Sequence, residues 1–284
     1  MSDSEDYLPF SQREGLAPIP PQLKLGEVSE ELKRLLEYYF KAEIERGTFC
    51  GAYSNDTFLT TSHRRLAQDF YVKFLSQSIS TYSDSPSKFK NLLNAIINNF
   101  ELGKLFDFVE FFLRHPAPTA QFKNDLKDAF VESRAAYRIV DQRIVAIGTG
   151  EQGKAYERAV ANAEQSNVPS ARTHLIEAGE KLRKGDWAGS VRDSIHAVEA
   201  TAVKLVPSAN TLGEALSAIE NKQHIHAALK KAFGALYGYS SAEKGVRHAL
   251  VFDGKANVTE ADALFMLGAC ASFVSYLLAV VPTE

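Results

Sequence analysis

Two pairs of side chains in the last third of the chain have the types and spacing to do chemistry. Arg192 and His196 stand four apart in "SVRDSIHAVEATAVKL", with Glu199 three further on. Arg247 and His248 stand side by side in "YGYSSAEKGVRHALVFDG", residues 237 to 254. An imidazole can take a proton from a hydroxyl near neutral pH, and a guanidinium can steady charge on a phosphate. These four are the candidate catalytic residues, and the chemistry they suit is work on a phosphodiester or a nucleotide, with no cofactor expected. Residues four apart on a helix share a face, so Arg192 and His196 project together. Adjacent helical residues diverge by roughly 100°, so Arg247 and His248 would point apart. The expectation is that all four converge on one cleft.

Each pair also has a purely structural reading. Arg192, His196 and Glu199 suit an intrahelical ion-pair network worth roughly 0.2–0.5 kcal/mol per pair. Arg247 has Glu243 four residues before it, on a turn that Gly245 weakens. Other signals are fainter. "HIH", His224 and His226, lacks further His or Cys at ligand spacing, so no metal is expected. "GTGEQG" at 148 to 153 lacks the Lys-Ser/Thr ending of a phosphate loop and reads as a turn into a helix. Arg64-Arg65 and Lys230-Lys231 read as solvated helix faces.

Composition narrows the class. A net charge of −3 over 284 residues gives no global attraction to nucleic acid, so any RNA contact needs a local basic patch. Cys50 and Cys270 match no metal or redox spacing, and Cys270 sits in an apolar run that suits a small buried hydrophobe. The acidic "MSDSEDYLPF" carries no secretion signal, so a cytoplasmic setting is expected. Residues 263 to 281 run without a charge for the length of a membrane span. Gly268, Ser272 and Ser275 dilute that run and no Lys or Arg anchors it, so the expectation is a helix buried on all sides by its own domain and no membrane partner.

The elements that must position these groups are mostly helices. Residues 1 to 26 hold four of the ten prolines and read as an extended leader pinned by Phe10, Leu16 and Ile19. "SEELKRLLEYYFKAEIE" has Ser29 to cap it and Leu32, Leu35, Leu36, Tyr39, Phe40 and Ile44 on one face. "TSHRRLAQDFYVKFLSQSI" gathers Leu66, Phe70, Phe74, Leu75 and Ile79. "SKFKNLLNAIINNF", "LGKLFDFVEFFLRH" and "TAQFKNDLKDAFVESRA" repeat the helical period. "AYRIVDQRIVAIG" alternates about Asp141-Gln142, which predicts a β-hairpin near 136–147. From Ser170 onward come helices opened by Asp186, by Thr211 with Glu214, and by Thr259 with Asp262. The fold class expected is all-α with one small hairpin: a leader over 1–26, a helical domain over 27–168 and a helical bundle over 169–284.

Several of these stretches resemble a known family. "SVRDSIHAVEATAVKL", "TLGEALSAIE", "IHAALKKAFGALYGYSSAEKGVRHAL" and "ADALFMLGACASFVSYL" resemble, in order, the HEPN helical domain at the C-terminus of AbiJ-related abortive-infection proteins. "LPFSQREGLAPIPPQL" and "ESRAAYRIVDQRIVAI" resemble an N-terminal domain joined to it. The resemblance implies a cytoplasmic anti-phage effector that homodimerises through the HEPN-like bundle, and many such domains are metal-independent RNases. Active ones carry an Arg, four to six residues, and a His. Here Arg192 and His196 have three residues between them and Arg247 and His248 have none. The motif is therefore not intact, and the competing expectation is a non-catalytic module that binds a ligand or partner.

Overall fold

The computed structural model describes residues 9–18, 21–51, 56–222, 225–242 and 258–281. Arg247 and His248 lie outside them, as do Ile19, His224, Glu243 and Gly245. Helices dominate the described residues, with two small two-stranded antiparallel sheets beside them. The chain forms two compact units, Met1–Ile144 and Val145–Glu284.

The first unit opens with a short helix, α1 (Phe10–Arg13), where an extended leader was expected. Phe10 and Leu16 are exposed rather than packed into the core. The anchoring comes from polar groups further on. Gln22 donates its side-chain amide to the Ala135 carbonyl at 2.6 Å, and the Gly26 N–H donates to the Tyr137 hydroxyl at 2.7 Å. In α2 (Glu30–Arg46) the Ser29 hydroxyl accepts from the Leu32 N–H, and Leu32, Leu36, Phe40 and Ile44 are buried as their period predicts.

Two strands that the sequence did not announce follow, β1 (Thr48–Cys50) and β2 (Thr57–Leu59), paired antiparallel with Phe49 opposite Phe58. Three-residue strands are too short to show alternation. Next, α3 (Thr61–Asp69) passes into a π-helical turn over Phe70–Phe74 and stops there. Ser76 adopts φ 54° and Ile79 is exposed, so the helical face expected to reach Ile79 ends early.

The core of this unit is aromatic. α4 (Pro86–Asn99), α5 (Leu102–Arg114) and α6 (Ala120–Glu132) surround α2 and the π turn with phenylalanine. Phe40 stacks on Phe108 at 4.6 Å and meets Phe112 and Phe122 edge-on, while Phe70 meets Phe108 edge-on at 5.7 Å.

The expected hairpin is present as β3 (Tyr137–Val140) and β4 (Arg143–Ala146). Asp141 and Gln142 take φ 51° and 63°, the two left-handed positions that a two-residue turn between twisted strands demands. Arg138, nearly buried, donates to the carbonyls of Ala135 and Tyr137 at 2.9 and 2.8 Å, beyond the end of α6.

The second unit is a helical bundle. α7 (Gly150–Gln165) starts with a capping box between Thr149 and Gln152, which explains "GTGEQG" as the expected turn into a helix. α8 (Pro169–Arg183) and α9 (Trp187–Leu205) fold back against each other through a three-residue connection, with Gly185 at φ 77° and the Asp186 carboxylate capping α9. Gly179 lets α8 approach closely, because a Cβ there would lie 2.9 Å from the Val145 side chain. α10 (Leu212–Asn221), α11 (Ala227–Ala242) and α12 (Glu260–Val280) complete the unit.

α12 packs on α7, α8 and α9, burying Met266, Leu267, Cys270, Phe273, Val274 and Leu277. It is long and apolar enough to cross a membrane, yet 44% of its most apolar window is buried inside the protein. Burial on all sides was expected. Instead Phe265 and Ser272 face outward, because the α7, α8 and α9 contacts leave one flank of the helix uncovered.

Candidate functional site

The α8–α9 pair brings His174, Asp193 and His196 together, with Lys181 beside them. Asp193, 4% exposed, sits on α9 facing α8. His196 follows one turn later, with its Nδ1 3.9 Å from Asp193 Oδ1. From α8, His174 Nδ1 lies 3.6 Å from the same oxygen. Lys181, two turns along α8, forms an ion pair with Asp193 Oδ2. The carboxylate thus turns one oxygen toward two imidazoles and the other toward an ammonium.

The imidazoles meet edge to face at 5.2 Å between centroids and are each about one-third exposed. His174 Nδ1 is enclosed and has no hydrogen-bond partner, while Glu177 Oε2 stands 4.0 Å from it. Burying a carboxylate costs several kcal/mol unless charge partners compensate it, and Lys181 supplies that compensation. Two imidazoles side by side, each able to hold or release a proton, are what general acid–base catalysis needs.

Of the four residues named from the sequence, two fall within this description. Arg192 and His196 lie on one helix four residues apart, as expected, and Arg192 is half-buried. Arg247 and His248 lie outside the described residues, and with them the expected convergence of all four side chains on one cleft. Asp193 and His174 join His196 here, and neither is among the four residues that the sequence singles out. The i, i+3 spacing of Asp193 and His196 was legible; His174 is 19 positions earlier by number, and the folding back of α8 on α9 brings it in.

The first unit carries a separate groove of about 960 Å³, bordered by Arg65, Asp69, Lys73, Phe111, Arg114 and His115. His115 Nδ1 accepts from the Ala117 N–H at 3.1 Å, so Nε2 carries the hydrogen that points to Asp69 Oδ2 at 3.4 Å. Burial lowers the His115 pKa; Asp69 pulls it back up in part, and Lys73 and Arg65 lower it further. Burial raises Asp69, but Lys73 and His115 outweigh it and leave its carboxyl below the ordinary range. A π turn forms one wall, a feature that recurs at functional sites.

The model for AbiJ N-terminal domain 4 matches residues 8–162 of the chain, more than half its length. The chain belongs to the AbiJ family. With that membership it belongs to the abortive-infection systems. The match takes in all of α2 to α6, the groove, both hairpins and most of α7. No curated protein and no solved structure matches this AbiJ-family chain.

Proposed function

We propose that this AbiJ-family chain is an abortive-infection effector whose second unit, a HEPN-like bundle, cleaves RNA at the His174–Asp193–His196 cluster. One imidazole takes the proton from a ribose 2′-hydroxyl, and the new O2′–P bond forms as the P–O5′ bond breaks. The second imidazole returns a proton to the departing 5′ oxygen, leaving a cyclic phosphate and a 5′-hydroxyl. Arg192 steadies charge on the phosphate, and Asp193 stabilises whichever imidazole is protonated. The observation that carries the reading is the pair of half-exposed imidazoles backed by one buried carboxylate. The first unit serves as the sensing or restraining part, with its groove as the ligand-facing surface. Two free thiols agree with a reducing cytoplasm, and the packing of α12 agrees with work away from a membrane.

The test is incubation of the purified full chain with RNA in EDTA. His174→Ala and His196→Ala should each lower cleavage by about 10²–10⁴-fold. Intact RNA with the wild type, or equal cleavage by both variants, removes the proposal.

A second reading has its own support. Arg192 and His196 are separated by three residues where active HEPN-like nucleases resemble one another in having four to six. On that reading the bundle binds RNA or a nucleotide without cutting it, and retention of labelled RNA with no products would favour it.

A further inference from the structure

We propose that His174, Asp193 and His196 form a binding site for one divalent transition-metal ion, with Zn²⁺ the ion best suited to it. Their donor atoms all lie within 4.8 Å of one another. Two imidazole nitrogens and one carboxylate oxygen are a donor set that zinc accepts, with a fourth position for water or another oxygen. In a tetrahedral zinc site, bonds of about 2.0–2.2 Å put neighbouring donors roughly 3.4 Å apart. Asp193 Oδ1 stands 3.6 Å from His174 Nδ1 and 3.9 Å from His196 Nδ1, so those pairs need close by only a few tenths of an ångström, while the two imidazole donors, within 4.8 Å of each other, close by up to about 1.4 Å as the rings turn.

Three further features point to an ion rather than a chance cluster. Asp193 and His196 are spaced i, i+3 on α9 and the third ligand comes from the facing helix, the placement by which helical bundles hold metals with a carboxylate and a histidine. Lys181 holds Asp193 Oδ2, fixing the carboxylate as an outer-shell partner does and turning Oδ1 inward. His174 Nδ1 is enclosed with no hydrogen bond and faces Oδ1, the direction a bound cation would satisfy. The charges allow it. Asp193 and Glu177 carry two negative charges against the single positive charge of Lys181. Glu177 Oε2, 4.0 Å from His174 Nδ1, is within reach of the fourth position.

The inference does not rest on the nuclease reading, and the two describe different states: an imidazole bound to the ion cannot take up a proton, so cleavage belongs to the metal-free form and the ion would block it. Metal binding without RNA cleavage leaves it standing, and cleavage in EDTA without metal binding overturns it alone. The experiment uses the full chain without an affinity tag, stripped with a chelator and titrated with Co²⁺ and then Zn²⁺. One Co²⁺ per chain should produce visible d–d bands that one Zn²⁺ abolishes. His174→Ala and His196→Ala should each weaken binding by more than the about 10–100-fold that loss of an outer-shell partner costs. The double variant His224→Ala/His226→Ala should bind as the wild type does. Absence of the bands in the wild type overturns the site, as does loss of binding in the double variant with none in His174→Ala and His196→Ala. Circular dichroism accompanies each variant, and His174→Gln replaces one that does not fold.

Discussion

Glu43 shows how one side chain can hold several elements together. It is 1% exposed, and its carboxylate accepts from the Thr119 N–H at 2.7 Å, the Thr119 hydroxyl at 2.8 Å, Arg46 at 3.0 Å and His63 Nε2 at 3.3 Å. Burial pushes its pKa up, but those hydrogen bonds outweigh burial and leave it below the ordinary glutamate value. A depressed acid stabilises the folded chain above its unfolded pKa, and that contribution is lost as pH falls through the folded one. Glu43→Gln should therefore cost about 1.5–3 kcal/mol at neutral pH, the worth of a hydrogen bond to a charged group. The loss should shrink toward pH 4, and thermal melts across that range check both statements. Cys270 is the apolar counterpart. Burial pushes its thiol up to about 12, so it packs as a small hydrophobe, as its sequence context implied.

At the scale of elements, local rules account for most of the helices. Ser29, Thr119, Thr149, Asp186, Thr211 and Thr259 each accept a hydrogen bond from the first turn they cap. Periodic apolar residues fill one face of α2, α4 and α6. The hairpin at Asp141-Gln142 invites a direct test of its turn. Both residues sit at positive φ, which costs a residue with a side chain roughly 1–2 kcal/mol, less for Asp. Gln142→Gly should stabilise the chain by up to about 1 kcal/mol, offset in part by glycine's freedom in the unfolded state. A lowered melting temperature would contradict the turn geometry. The early end of α3 was not legible, because Leu75 and Ile79 continue the period while Ser76 departs from it in backbone alone.

For the molecule as a whole, we propose that the homodimer implied by the family resemblance forms through exposed apolar side chains of the second unit. α11 is built largely from Ala, Leu, Phe and Gly, yet none of its described side chains is buried. Leu229 and Phe265 are 41% and 56% exposed. These two side chains are the ones such a contact would cover. Sedimentation should show a dimer that Leu229→Asp or Phe265→Asp converts to monomer. A wild-type monomer at all concentrations would exclude self-association through this face.

What the residues alone determined is therefore local. Period, caps and turn chemistry act over three to seven positions, and they specified nearly every helix, the second hairpin and the shared face of Arg192 and His196. The resemblance to AbiJ proteins was legible for the same reason, since it is carried by contiguous stretches. Tertiary structure decided the rest. His174 belongs with Asp193 and His196 because α8 folds back on α9, and no spacing rule along the chain encodes that meeting. Asp193 is the centre of the cluster for one physical reason: a buried charge must find its partners across the helix interface.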